Sequence, residues 1–141
     1  MKGRKKVLVV DDNCDAADTL AMLLQTQECD CQVAYSGDQA LALVERERPD
    51  LVILDLFMPQ MSGYEVARAL RKGPDGEQIH LVAHTAMSSQ VHHEAIVDAG
   101  FDDHLIKPAS LDDLLALVSG ENAPRARGDP AGQSKRSSAS S

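Results

Sequence analysis

The sequence predicts an α/β domain built on a doubly wound, five-stranded parallel sheet in the order 2-1-3-4-5. Three observations lead there. Short apolar runs alternate five times with stretches of helical spacing. Several of those runs are solidly apolar and end in a polar residue, the mark of a buried parallel strand. The chain of 141 residues holds one domain of ordinary size and a short extension.

Val7-Leu8-Val9-Val10 forms the first strand and runs into Asp11-Asp12. Ala17, Leu20, Ala21 and Leu24 then recur along one face of a helix. Cys31, Val33 and Tyr35 alternate with Gln32, Ala34 and Ser36, a second strand with one face less buried. Ala40, Leu43 and Val44 stripe the second helix, which Arg48-Pro49 ends. Leu51-Val52-Ile53-Leu54 is the third strand and leads to Asp55. Gly63, Val66, Ala67 and Leu70 face inward on the third helix, and Gly73-Pro74 stops it. Leu81-Val82-Ala83 marks the fourth strand, just before Thr85. Val91, Ala95 and Ile96 mark the fourth helix, closed by Gly100. His104-Leu105-Ile106 is a short fifth strand leading into Lys107. Ser110 caps the last helix with Asp113 at its third position, and Leu111, Leu114, Leu115 and Val118 form its inner face.

Strands one and three are the most apolar and therefore central, whereas strand two alternates and strand five is short, as edges are. Right-handed crossovers then give the order 2-1-3-4-5, with strands one and three flanking the switch point. From Gly120 the composition turns to Ala, Pro, Gly, Arg and Ser without periodicity. Residues 1–120 are expected to form the domain and 121–141 a disordered tail.

The formal net charge is −8, and the tail carries +2 of it, which leaves −10 on residues 1–120. Such a surface repels nucleic acid, so direct DNA or RNA binding is not expected. No apolar run approaches the ~18 residues of a membrane span. The basic start (Lys2, Arg4, Lys5, Lys6) precedes a run too short for a signal peptide, so no membrane association and a cytoplasmic location are expected. Cys14, Cys29 and Cys31 lack metal-site spacing and read as reduced thiols. His80, His84, His92 and His93 likewise read as ordinary histidines rather than a transition-metal site. With no Trp, two Phe and two Tyr, the core has to be aliphatic.

Parallel strands gather their carboxyl ends at one edge of the sheet. Asp11, Asp12, Asp55, Thr85 and Lys107 therefore meet in one crevice. Three adjacent carboxylates raise one another's pKa unless a counter-charge is present. A hard divalent cation answers this, and Mg²⁺, with Mn²⁺ as a substitute, suits a site of few carboxylates. An Asp carboxylate can take up phosphate as an acyl phosphate. Lys107 and the Thr85 hydroxyl can meet phosphoryl oxygens, and small Ala86 leaves room beside them.

Asp11-Asp12, the run Asp55-Leu56-Phe57-Met58-Pro59-Gln60-Met61-Ser62-Gly63, Thr85-Ala86 and Lys107-Pro108 together resemble the signature of receiver domains of two-component response regulators. The resemblance extends over roughly residues 6–119, in order and with that family's spacing. It implies a flavodoxin-like (βα)5 fold with Asp55 as phosphoacceptor. It also implies Asp12 and Asp55 as metal ligands, Asp11 acting mainly through water, and the Phe57 backbone carbonyl as a further ligand. Thr85, Ala86 and Lys107 would bind the phosphoryl group, and the Lys107-Pro108 bond would be cis. The donor would be a histidine kinase or a histidine phosphotransfer protein, and the signal would pass to a downstream protein by contact. The lack of an output domain after the fifth helix is expected to make this a free-standing receiver.

Two departures or special positions bear on the switch. Three residues before Lys107 the family usually has Tyr or Phe, and here stands His104, expected to act with Thr85 in switching. The positions two after the phosphoacceptor and two after the Thr are Phe57 and Met87. Both are bulky and apolar, so slow loss of the acyl phosphate to water is expected. A flavodoxin-type cofactor site is disfavoured because Asp11-Asp12-Asn13 would repel a bare phosphate. A haloacid-dehalogenase-type phosphatase would need a second Asp where Phe57 stands. A degenerate receiver that only docks partners would not be expected to keep all five polar residues.

Overall fold

A computed structural model of the chain describes residues 5–73, 76–86, 90–107 and 109–119. Its elements are β1 (Lys6–Val10), α1 (Cys14–Gln25), β2 (Asp30–Ala34), α2 (Gly37–Arg46), β3 (Leu51–Asp55), α3 (Gly63–Lys72), β4 (His80–Thr85), α4 (Gln90–Ala99), β5 (Asp103–Ile106) and α5 (Leu111–Ser119). A single 3-10 turn, Gly76–Gln78, lies between α3 and β4. All strand pairs are parallel and the order is β2-β1-β3-β4-β5, as the apolar patterns predicted. The expected tail, Met87 and Pro108 lie outside the described residues.

The pleat sorts side chains onto two apolar layers. Leu8, Val10, Val52, Leu54, Leu81 and Ala83 face α2, α3 and α4, meeting Ala40, Val66, Ala67, Leu70 and Ile96. Val7, Val9, Leu51, Ile53, Val82 and Leu105 face α1 and α5, meeting Ala17, Leu20, Leu24, Leu114 and Leu117. Burial of β1 and β3 on both faces explains why their sequences do not alternate.

Side-chain caps set the helix starts. Asn13 accepts from the Ala16 N–H at 3.0 Å. Ser36 accepts from Gln39. Ser62 and Glu65 form a reciprocal capping box. Ser110 accepts from the Asp113 N–H at 3.1 Å, as predicted. The inner face of α5 differs from the expectation at Leu111 and Leu117, and the expected Leu115 is only half-buried. Leu111 is 46% exposed, while Leu117, which the expected face omits, is fully buried. Leu111 opens the helix, beyond the reach of the layer that Leu114 and Leu117 fill.

The lower edge of the sheet, at the strands' amino ends, is fastened by Arg71 of α3. Its guanidinium donates to the carbonyls of Gly76, Ile79 and Gly100 and to Asp102 Oδ2, the last at 2.9 Å. Asp102 Oδ2 also accepts from the Leu81 N–H at 3.0 Å. One side chain thus ties α3, the 3-10 turn, β4 and the turn before β5. Both partners are largely buried. Arg71→Ala should cost about 3–5 kcal/mol, because it leaves a buried carboxylate without its cation. Urea unfolding measures this directly, and a loss under about 1 kcal/mol, the worth of an exposed pair, would show that the clamp is dispensable.

Candidate functional site

The upper edge gathers the five polar residues that the sequence singled out. β1 delivers Asp11, β3 ends in Asp55, β4 ends in Thr85, and Lys107 follows β5. Asp11, Asp55 and Thr85 are all buried, whereas Asp12 is exposed. Carboxylate oxygens of Asp11, Asp12 and Asp55 lie within 4.8 Å of one another, the only such cluster of metal-ligating side chains among the described residues. Lys107 reaches across the sheet to them. Its Nζ donates to Asp11 Oδ2 at 3.0 Å and lies 3.4 Å from Asp55 Oδ1.

The backbone fixes this geometry. The Lys107 N–H donates to the Thr85 carbonyl at 2.8 Å, which ties the two strand ends. Asp11 Oδ1 accepts from the Asn13 N–H at 2.9 Å, which orients that carboxylate as the chain turns into α1. Gly63 packs against the backbone of Asp55. A Cβ there would sit 2.2 Å from the Asp55 carbonyl oxygen, so any larger residue would push α3 off the strand end. Gln60, in the loop between, adopts a positive φ of 71°.

The charges explain the protonation states. Burial raises the Asp55 pKa first, and the Asp11 carboxylate adds to it, moving it to about 6; Lys107 and the Phe57 backbone N–H pull the other way. Burial works against the Lys107 charge, but Asp11 and Asp55 outweigh it and raise that pKa. His84, buried beside Thr85, is lowered to about 4 by burial and then by Lys107, against the pull of Asp11.

A group of three carboxylates with a member that resists ionisation is short of positive charge. These donors fit a hard divalent cation, since two buried carboxylates and an exposed one leave room for water ligands.

Phe57 is 52% exposed and meets Tyr64 edge to face, with centroids 6.4 Å apart. Ala86 is exposed beside Thr85. His104 is half-buried and pairs with Ala83, which puts it on the same face of the sheet as Thr85. Sequence reading passed over two further features. His80 Nε2 lies 2.5 Å from Oδ2 of the fully buried Asp103. His84 sits against the site, a placement signalled only by a polar residue inside an apolar run.

The raised Asp55 pKa makes a prediction for the metal-free protein. A carboxyl whose pKa rises on folding, from 3.8 to about 6, favours the fold below pH 4, and that contribution is lost as pH rises through 6. Thermal melting in chelator should show stability falling across this interval. Asp55→Asn should raise the midpoint at pH 7.5 and flatten the fall; a variant that melts at or below wild type there would contradict the charge assignment.

Comparison with known proteins places these features. Residues 7–119 match the family described as the response regulator receiver domain. The chain is 38% identical over 113 residues to the response regulator MprA of Mycolicibacterium vanbaalenii; the match covers 80% of this chain and 48% of MprA, so the chain spans about half the length of that relative. The chemotaxis protein CheY4 of Vibrio cholerae superposes with a TM-score of 0.80 at 27% identity, over 85% of this chain and 100% of CheY4. The receiver domain of Ssk1 from Saccharomyces cerevisiae, co-crystallised with the histidine phosphotransfer protein Ypd1, belongs to a structure matched with a TM-score of 0.75 at 26% identity, over 84% of this chain and 89% of the matched chain. Among the described residues no helix is long and apolar enough to cross a membrane. By family match, topology and the cluster at the carboxyl edge, this chain belongs to the receiver domains of two-component response regulators.

Proposed function

We propose that the chain is a phosphorylation switch in which Asp55 accepts a phosphoryl group from a phosphohistidine, with Mg²⁺ or Mn²⁺ bound by Asp11, Asp12, Asp55 and the Phe57 carbonyl. The observation that carries this reading is the position of Lys107, whose ammonium reaches both Asp11 and Asp55 across the sheet. A cation among the carboxylates supplies charge neutralisation for the incoming phosphoryl oxygens. Asp55 provides the nucleophilic oxygen. As its bond to phosphorus forms, the bond from phosphorus to the donor's histidine nitrogen breaks, and the electron pair stays on that nitrogen. Lys107 stabilises charge on one phosphoryl oxygen, and the Thr85 hydroxyl and Ala86 meet another.

The acyl phosphate adds about two negative charges at the strand ends. Movement of Thr85 toward it would free space on the face that carries His104, which passes the change to α4, β5 and α5. The signal then leaves by protein–protein contact, in the cytoplasm. The complex of the yeast receiver with a phosphotransfer protein supports a donor of that kind. Half-exposed Phe57 stands beside Asp55 without a group that could orient water, which supports a long-lived acyl phosphate.

Incubation with acetyl phosphate and Mg²⁺, followed by intact-mass measurement, tests the reading. One phosphoryl group should be added, none in Asp55→Asn, and none in excess chelator. Phe57→Asn should shed it faster than wild type. Full labelling of Asp55→Asn would overturn the assignment.

A further inference from the structure

The register of the sheet places His84 in the path of Lys107. Asp55 of β3, His84 of β4 and Leu105 of β5 lie side by side. Period-two alternation puts all three on the face that carries Ile53 and Val82. Lys107 follows Leu105 by two residues, and its Nζ comes within 3.4 Å of Asp55 Oδ1. Lys107 stands one residue past the Thr85–Ile106 pair, level with Ala86, so to reach Asp55 on β3 its side chain has to cross β4 on the face shared by Ala86 and His84, and it ends at the level of His84.

His84 is an anomaly in its strand. The apolar pattern of Leu81, Val82 and Ala83 calls for another apolar side chain. The imidazole is 8% exposed. Its Nε2 is shut off from solvent without a hydrogen-bond partner among the described residues. Such an orphaned atom is unfavourable in a buried place and calls for an explanation, which a partner acquired in another state supplies. A neutral imidazole offers one acceptor nitrogen, and an ammonium has three donors and no acceptor. In the present arrangement Lys107 directs its donors at Asp11 and Asp55. A cation engaging Asp11 would compete with Lys107 for the carboxylate that is now its 3.0 Å partner.

We propose that His84 is a positioning residue for phosphoryl transfer: its Nε2 accepts a hydrogen bond from the Lys107 ammonium when Asp11 is engaged, and holds that ammonium over Asp55. The inference rests on the function proposed above and adds a residue to it. A ring that merely filled space would make the same burial without the contact.

Two measurements on the full chain decide it. In ¹⁵N-labelled protein, two-bond proton–nitrogen spectra report the His84 ring before and after loading with Mg²⁺ and beryllofluoride. The Nε2 resonance should be unprotonated and should move upfield on loading, and the movement should vanish in Lys107→Met. In the acetyl phosphate reaction, His84→Leu should take up the phosphoryl group about tenfold more slowly, the rate equivalent of one hydrogen bond to a charged group. His84→Gln, which keeps an acceptor, should recover most of that rate. The Leu variant should melt no lower than wild type, which separates positioning from folding. An Nε2 resonance indifferent to loading, or a wild-type rate in His84→Leu, overturns the role of His84 while leaving Asp55 as acceptor. A wild-type chain that takes up no phosphoryl group overturns both.

Discussion

Two neighbouring central strands end in carboxylates, and the repulsion between them governs the upper edge of this protein. Asp11 and Asp55 are both buried, and Asp12 lies beside them. Such a group is stable only with positive charge at hand. In the structure that charge is Lys107, brought from the edge strand by the parallel register and fixed by its backbone bond to Thr85. The neutralisation is incomplete: burial first and the Asp11 carboxylate second push the Asp55 pKa up to about 6 against the pull of Lys107. An incompletely neutralised carboxylate cluster is the kind of donor set that suits a hard divalent cation.

The two edges of the sheet are built to opposite ends. At the lower edge, Arg71 satisfies three carbonyls and one carboxylate, His80 meets Asp103, and Asp50 accepts from the Lys6 N–H at 2.9 Å. Most of the polar groups named there have found a partner, although Asp103 Oδ1 is buried without one among the described residues. At the upper edge a carboxyl is pushed from its usual range and the Nε2 of His84 is buried without a partner among the described residues. At the upper edge these unmet groups lie where a ligand or a modification can relieve them.

Much of this was legible in the sequence because parallel strands leave a plain signature. Solid apolar runs placed β1 and β3 at the centre, and the polar residue after each run named the site. The alternating β2 and the short β5 gave the edges. What stayed hidden depends on contacts between residues remote in sequence. Arg71 looks like any basic residue near a helix end, and only the fold brings the carbonyl of Gly100 to it. Asp103 reads as a loop acid but starts β5 fully buried against His80. The inward turn of α5 at Leu117 rather than Leu111 depends on where the helix begins relative to the sheet. The role of His84 needs the register of three strands, which no periodicity reveals.

The central claim is that Lys107 is the internal counter-ion whose place a divalent cation shares. Calorimetric titration of Mg²⁺ into wild type and Lys107→Met tests it most directly. Two like charges held a few ångströms apart near a protein surface repel by an energy on the order of kcal/mol. The account predicts that removing the ammonium tightens Mg²⁺ binding several-fold, with the difference shrinking as salt is raised. Equal or weaker binding by Lys107→Met would contradict it.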